Sequence, residues 1–347
     1  MQWDGRARGI LCLLVLSALV AKTAAADDGG VDVMGGSAVL MAEQPTISMS
    51  DEYVRIDMSS DSFRVRASFH FFNHGASTTV AVGFPVEGLT GANKHDFPYF
   101  KTWVNGKVVE THTLPDAADG DGETYSYFKV KEVRFPATST TTTAVEYTAP
   151  YGFSSNGELS IRYQYGTGGS WHGPIGKAVF DIRVDENLLG FDAMIAGFNS
   201  LSTGGRLINR SKGQLVFELD NLKPKRWDSL RFSFRQLLLC FHDTPPPDDR
   251  EYCPWFMAED SKQWQPPEPA FPSLIYLRLK RNEVYARHGY VFRDPVMKRF
   301  FQSRRWYTPD LAYSAPAPED EKLALSFKAR EVAILKEPHY TPPTTGR

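Results

Sequence analysis

The sequence predicts a multidomain α+β protein, with an N-terminal antiparallel β-sandwich-like region followed by a small three-helix C-terminal domain. From about residue 47 to 235, apolar residues recur at every second position, as in half-buried strands. After residue 273 they recur at helical spacing, and a proline-rich stretch separates the two patterns. The length of 347 residues also favours more than one domain.

The first 26 residues have the features of a signal peptide. Arg6 and Arg8 precede an apolar run from residue 10 to 21, and residues 24–26 are three alanines suited to cleavage. This run is too short to cross a bilayer and no later run reaches about 18 residues, so we expect no transmembrane span. We therefore expect an exported protein, periplasmic or extracellular, whose mature chain begins at Asp27.

The β region is predicted over residues 27–239. Phe63, Val65 and Ala67 alternate with polar residues after a turn at 59–61, which predicts one arm of an antiparallel hairpin with one buried face. Asn105-Gly106 is the strongest tight-turn signal in the chain. Regular strand spacing predicts either one large sandwich or two in tandem.

Two stretches of the β region leave alternatives open. Residues 116–123 are acidic and glycine-rich and could form a calcium loop, but they lack the terminal glutamate of the EF-hand pattern, so a solvated loop is favoured. Residues 185–199 could contain one short helix. We predict no metal ligands elsewhere.

A connector with many prolines is predicted over residues 240–272. It contains Cys240 and Cys253, the two cysteines that remain after removal of the signal peptide. In an exported chain an isolated pair favours a disulfide. A metal site or free thiols are the alternatives, although the nearby His242 and Asp243 give a metal site little support.

The helical domain is predicted over residues 273–337, and its first helix runs from about Ser273 to His288. One arc of this helix collects apolar residues together with Arg278 and Arg281, whereas Lys280, Glu283 and Arg287 fall on the opposite side. Inward-facing arginines need an anion, so we expect Arg278 and Arg281 to pair with an acid inside the domain, for example one of the third helix, or with a ligand's anion. Glu283 and Arg287 are expected to form an exposed pair.

Local signals place the other helix ends. Gly289 suits the end of the first helix, and Asp294-Pro295 suits the start of the second. A third helix is expected from Pro318 to Pro338, with Leu323, Phe327 and Ile334 buried. A flexible tail is predicted over residues 338–347.

The stretch from Arg281 to Tyr290, with Tyr285-Ala286-Arg287-His288-Gly289 at its centre, resembles the signature of the YARHG domain. Residues 277–280 before it and 305–309 after it agree with that family. YARHG domains are small helical modules of exported bacterial proteins, and the resemblance implies no established reaction.

The β region also contains short sequence motifs that resemble those of another protein family. Its short sequence words include Phe72-Asn73-His74-Gly75 and Gly168-Gly169-Ser170-Trp171-His172-Gly173. They are similar to an uncharacterised family of exported bacterial proteins whose members often carry a YARHG domain behind the β region.

Charge is concentrated in the helical domain. Residues 273–337 hold 13 basic and 8 acidic residues, a net of +5, whereas the remainder of the mature chain is at −9. We therefore predict a binding module for an anionic cell-wall or acidic surface polymer, or for an envelope protein. The residues expected to bind are Arg281, Arg287, His288, Arg304 and Arg305.

Two other functions remain open at this point. One is a wall-directed hydrolase in which Glu283 and His288 share acid–base work, although the two lie about 140° apart on the helical wheel. His288 otherwise suits a backbone-bonded residue at a helix end. The other is a structural or assembly protein of the envelope. We expect no cofactor and no nucleic-acid partner.

We predict that Cys240 and Cys253 are joined in the exported protein. Closing a loop of about a dozen residues should stabilise the fold by roughly 3 kcal/mol on the chain-entropy model. Peptide mapping without reductant should recover one cross-linked pair. Two free thiols, or bound zinc, would contradict the pairing.

Overall fold

The computed structural model describes residues 35–36, 38–41, 45–59, 61–86, 96–115, 127–153, 159–184, 195–201, 205–236, 271–272, 274–302, 304, 306–313 and 315–343. The predicted signal peptide, the 116–123 loop and both connector cysteines lie outside these residues.

Eighteen strands, three α-helices and one 3₁₀-helix (Gly166–Ser170) form from the described residues. The strands are β1 (Gly35–Gly36), β2 (Val39–Leu40), β3 (Ile47–Met58), β4 (Ser62–Asn73), β5 (Thr78–Val86), β6 (Tyr99–Val104), β7 (Lys107–Val108), β8 (His112–Pro115), β9 (Tyr127–Phe135), β10 (Thr140–Pro150), β11 (Gly152–Phe153), β12 (Leu159–Gln164), β13 (Ile175–Val184), β14 (Ile195–Leu201), β15 (Arg206–Ser211), β16 (Gln214–Leu222), β17 (Ser229–Gln236) and β18 (Phe271–Pro272). The helices are α1 (Leu274–Arg287), α2 (Pro295–Gln302) and α3 (Pro318–Lys336). The predicted order, a β region and then three helices, is confirmed.

The strands form three sheets. The largest has the order β15-β16-β13-β3-β4-β10-β6-β7, the second β1-β12-β17-β14-β18 with β11 beside β12, and the third β2-β5-β9-β8. Two pairings, β3 with β13 and β1 with β12, are parallel, so the sheets are mixed rather than purely antiparallel. More than 100 residues separate β3 from β13, and a long connection of this kind permits a parallel pairing.

One apolar core lies between the large sheet and the two smaller ones. In β3 and β4 the residues predicted to face inward are buried, whereas their neighbours are at least partly exposed. Phe84 of β5 packs on Tyr147 of β10, and Tyr163 of β12 packs on Phe180 of β13, with ring centroids 5.4 and 6.0 Å apart. The alternating pattern therefore leaves the other face of the large sheet polar.

Two local predictions have different outcomes. Asn105 and Gly106 adopt φ values of 48° and 76° between β6 and β7, as a tight hairpin turn requires, so that prediction is confirmed. The possible helix within residues 185–199 is wrong for its last part, because β14 begins at Ile195 and pairs with β17. Residues 185–194 lie outside the described part of the chain.

The helical domain contacts the β region along β15 and β14. β18 pairs with β14, and Glu337 at the end of α3 accepts hydrogen bonds from the Asn209 side chain and the Arg210 backbone at 3.1 and 3.0 Å. Residues after 337 were predicted to form a flexible tail. The Tyr340 backbone N–H instead donates to Gln214 Oε1 at 2.7 Å, because the sheet offers a polar partner there.

None of the helices among the described residues is both long and apolar enough to cross a membrane.

Asn73 provides the clearest polar constraint in the β region. Its side chain is fully buried, and Nδ2 lies 2.8, 3.2 and 3.1 Å from the carbonyl oxygens of Ala76, Phe135 and Pro136. Oδ1 accepts from the Gly75 N–H at 3.0 Å. The side chain thus satisfies backbone groups of two segments at once.

Replacing Asn73 with Ala should lower the free energy of unfolding by about 2–3 kcal/mol, because buried backbone groups lose their partner. Urea unfolding followed by tryptophan fluorescence measures this. Glu132→Ala, at an exposed position on neighbouring β9, is the control and should change stability by less than about 0.5 kcal/mol. Equal effects of the two substitutions would contradict the assignment.

Candidate functional site

Arg281 joins the first and third helices of the domain. Its Nη1 lies 3.3 Å from Glu331 Oε2, and both side chains are largely buried. Burial raises the pKa of Glu331, although the charges of Arg281 and nearby Lys328 act in the opposite direction. The expected internal pairing is confirmed for Arg281 with an acid of the third helix, whereas Arg278 pairs with Asp294, just before the second helix, at 2.8 Å.

Glu283 is buried, so the prediction of an exposed pair with Arg287 is wrong for the glutamate. Helix α1 packs on α3 and β14, which buries Ile275 and Leu279 outside the predicted apolar arc. Glu283 Oε2 accepts from Lys280 Nζ at 2.7 Å, and Oε1 accepts from Arg287. Burial alone would raise the pKa of Glu283, but the two cations outweigh it and lower the pKa.

His288 takes a different partner from the one expected. A hydrogen bond joins its Nε2 to Asp320 Oδ2 over 2.9 Å, at the first turn of α3, rather than joining it to a backbone carbonyl. Asp320 is available because the first turn of α3 is acidic. Glu283 and His288 therefore have separate partners, and neither side chain bonds to the other.

Two further predicted binding residues, Arg287 and Arg304, do not share an exposed face. Arg304 is only 2% exposed, and its Nε donates to the Phe300 carbonyl at 3.3 Å because the chain turns back after α2. Its predicted place on a solvated surface is wrong. Arg287 is half-exposed and lies over the Trp306 ring, 4.8 Å from its centroid. Arg305 lies outside the described residues.

An open groove of about 410 Å³ is present between α1, α3 and the loop after α2. Three tyrosines, two cations and an amide dominate its lining: Tyr285, Tyr290, Tyr313, Arg281, Lys328 and Asn282. Tyr290 contacts both other rings, at centroid distances of 6.1 and 5.1 Å from Tyr285 and Tyr313 respectively. Aromatic walls with a few polar groups are typical of ligand sites.

The end of α1 positions this groove. Gly289 has φ of +83°, and a side chain there would lie 2.9 Å from Asp310 Cβ, so glycine is required on both counts. The Gly289 carbonyl accepts from the Asp310 N–H at 2.8 Å, which holds the loop against the helix end. Asp310 then accepts from the Ala312 N–H at 2.8 Å in a turn that brings Tyr313 to the groove.

The groove offers neutral tyrosine hydroxyl groups for hydrogen bonding, and these lie beside positively charged side chains. Burial, and then the neighbouring Tyr285, Tyr290 and Glu321, raise the pKa of Tyr313. Lys328 is exposed on α3, one turn before Glu331. Of the four predicted binding residues that the structure describes, only Arg281 lines the groove.

Sequence reasoning missed Tyr313 and Lys328. Tyr313 lies in an irregular loop, where no periodicity marks a residue as facing a site. Lys328 is one of several cations on α3, and only the packing of α3 against α1 distinguishes it. No three His, Cys, Asp or Glu side chains are grouped to hold a metal ion among the residues that the structure describes.

Comparison with known proteins identifies the helical domain. Residues 272–335 match the YARHG domain model, so this part of the chain is a YARHG domain, as the signature residues predict. No curated protein has a matching sequence.

Several solved structures are similar to the chain. A Legionella pneumophila protein described as a putative nutrient binding protein is 20% identical, with a TM-score of 0.47 over 87% of this chain and 98% of that one. An M1 zinc metallopeptidase from Deinococcus radiodurans is 10% identical, with a TM-score of 0.31 over 55% of this chain and 42% of its own. Yeast LTA4 hydrolase is 10% identical, with a TM-score of 0.34 over 56% of this chain and 31% of its own. This chain spans less than half of either enzyme, and these likenesses assign it no activity.

Replacing Glu283 with Gln should destabilise the helical domain by about 1–3 kcal/mol at neutral pH, because Lys280 and Arg287 lose a buried anion. The pKa of Glu283 is lower in the folded state than in the unfolded state. The ionised Glu283 therefore stabilises the fold at pH values above the usual glutamate pKa, and this stabilisation is lost as pH falls through the pKa of the folded state. The difference between parent and variant should therefore be smaller at an acidic pH below the usual glutamate pKa than at neutral pH.

Urea unfolding followed by far-ultraviolet circular dichroism at both pH values checks this. Glu319→Gln, an exposed acid in the first turn of α3, serves as the control. A stability difference of the same size at both pH values would rule out the ion-pair explanation.

Proposed function

We propose that this protein is an exported envelope protein that binds an acidic glycan in the groove of its YARHG domain. The single observation that supports the proposal most is the convergence of Tyr285, Tyr290 and Tyr313 on one groove beside Arg281 and Lys328. Ring faces present flat apolar surface to a sugar, and their hydroxyls can bond to its polar groups. The two cations favour a ligand that carries carboxylate or phosphate.

The dimensions of the groove support a segment of a polymer rather than an enclosed small molecule. Its volume of about 410 Å³ falls within the range of ligand sites, and it is partly open to solvent. A glycan chain could therefore lie in the groove and continue beyond both ends. Peptidoglycan and acidic surface polysaccharides both have this chemistry.

This proposal differs from binding to a flat basic face. Arg287 and His288 are only partly exposed, and each already has an acidic partner, Glu283 and Asp320 respectively. Their charges are thus partly used within the domain. Arg281 also has a partner, but it lies in the groove wall where a bound anion can reach it.

A binding role is preferred over hydrolysis because of the groove's lining. Glycoside hydrolysis needs two carboxyl groups facing one bond, and the described lining of the groove contains none. Glu283 is held ionised by two cations, which makes it a poor proton donor. Binding to an envelope protein, or an assembly role for the β region, remains the alternative outcome of the test below.

The proposed function also requires that the protein is exported to the cell envelope. The first 26 residues have the pattern of a signal peptide, and cleavage after Ala26 would leave Asp27 as the first residue. The intact mass of protein recovered from the cell envelope tests this. A chain that retains residues 1–26 in the cytoplasm would contradict it.

Changes in the groove should weaken binding to purified peptidoglycan or to polygalacturonate. Lys328→Ala removes one exposed cation and should lower affinity about two- to fivefold. Tyr290→Leu keeps apolar bulk but removes a ring and its hydroxyl, and should have a similar effect. Affinity of the parent should also fall as salt shortens the screening length below about 10 Å.

Lys322→Ala is the matched control, because Lys322 is exposed on the same helix but does not line the groove. Co-sedimentation with peptidoglycan and titration with polygalacturonate measure the affinities, with neutral dextran as the reference polymer. Equal loss in the Lys322 and Lys328 variants would indicate nonspecific charge attraction. Absence of binding by the parent would move the function to a protein partner.

A further inference from the structure

We propose that the polar face of the large sheet carries a second, separate binding site, which takes a small anionic ligand of sugar size bearing phosphate or carboxylate. The site lies on β3, β4 and β13 and is distinct from the groove of the YARHG domain. Its existence does not depend on the glycan-binding function.

Strand register brings four arginines together on this face. Arg55 of β3 is directly opposite Arg66 of β4, and Asp57 is directly opposite Arg64. On the other side of β3, Arg183 of β13 is opposite Asp57. The guanidinium groups are therefore contributed by three adjacent strands.

The acidic partners lie around this cluster and do not balance it. Arg66 pairs with Glu146 of β10, and Arg55 pairs with Asp57, at 2.5 and 2.7 Å. Arg64 is half-exposed and has only a 3.9 Å contact with the same Glu146. With the buried Asp181 included, the four arginines face three acids among the described residues.

Cross-strand ion pairs explain much of this arrangement, but not the direct opposition of Arg55 and Arg66. Ion pairs that stabilise a sheet alternate in sign across neighbouring strands, and like charges directly opposite each other are unfavourable. Arg66 lies opposite Glu146 on one side but opposite Arg55 on the other, and Arg64 is two residues away on the same face of the same strand. A bound anion placed between these groups would relieve the repulsion.

The cluster lies in a concave surface. Two adjoining cavities of about 810 and 550 Å³ share Arg55, Arg66, Arg183 and His339. Tyr53 and Trp103 line the smaller one, together with the chain from His339 to Pro342. The volumes suit a ligand with one or two rings, and the aromatic side chains offer surface to such rings.

Buried hydrogen bonds fix part of the site in place. Asp181 is fully buried and accepts from Tyr53 Oη at 2.6 Å and from Gln214 Nε2 at 2.8 Å. Arg183 donates to both oxygens of this carboxylate, through Nε and Nη2. The Gln214 amide also holds the Tyr340 backbone, so the wall formed by the C-terminal residues is tied to the same network.

Arginine recognises phosphate and carboxylate through two parallel N–H donors, which a lysine cannot reproduce. Four arginines in one concavity therefore favour a ligand with more than one anionic oxygen pair. We take inorganic pyrophosphate and digalacturonate as probes of the two chemistries, with galactose as the neutral reference.

Calorimetric titration of the full mature chain at low ionic strength tests the site. We expect at least one anionic probe to bind, and the double substitution Arg64→Gln/Arg66→Gln to weaken its binding by about tenfold or more. Arg206→Gln is the matched control, because Arg206 is an exposed, ion-paired arginine of the same sheet that lies outside the cavities. It should bind like the parent.

A second measurement does not depend on the folding of the variants. Arginine-specific modification of the parent by a dicarbonyl reagent, mapped by mass spectrometry, should show Arg64 and Arg66 protected by the bound probe and Arg206 unprotected. Binding of pyrophosphate alone would assign a phosphate-bearing ligand, and binding of digalacturonate alone a carboxylate-bearing one. No binding of either probe, or equal losses in Arg206→Gln and the double variant, would overturn the site.

Discussion

The packing of the helical domain depends on the burial of α1, which contacts both α3 and β14. A helix buried this far cannot leave its charged side chains unpaired, because an isolated buried charge costs several kcal/mol. Arg281 therefore bonds to Glu331, and Glu283 is held between two cations of its own helix. A domain that is basic in composition thus uses much of its positive charge to hold its own helices together.

The same burial leaves one surface of the signature helix available to a ligand. Tyr285 and Arg281 lie one turn apart and reach the groove together, while Gly289 ends the helix and directs the following chain across it. The loop at Asp310 completes the groove with a third tyrosine. The YARHG motif is therefore explained as a helix end that builds a groove, with Gly289 required by backbone conformation and close packing.

Local features could be predicted from the sequence, and features that depend on packing could not. The β3–β4 hairpin follows from strict alternation, and the Asn105 turn and helix caps follow from residues with special backbone preferences. The helical wheel failed for α1 because it assumes one buried face. For α3 the wheel predicted that Leu323 is buried, but Leu323 is half-exposed and its neighbour Ala324 is buried. Hydrophobicity alone does not reveal which row of residues contacts α1. Arg304 appeared to be a surface charge for the same reason.

The central claim is that the tyrosine groove of the YARHG domain holds an acidic glycan. A crystal structure of the mature chain with a short galacturonate or peptidoglycan fragment tests it most directly. We expect a sugar ring to lie against Tyr290 and Tyr313, with an anionic oxygen about 3 Å from Arg281 or Lys328. An empty groove in crystals where the fragment occupies another surface would contradict the account.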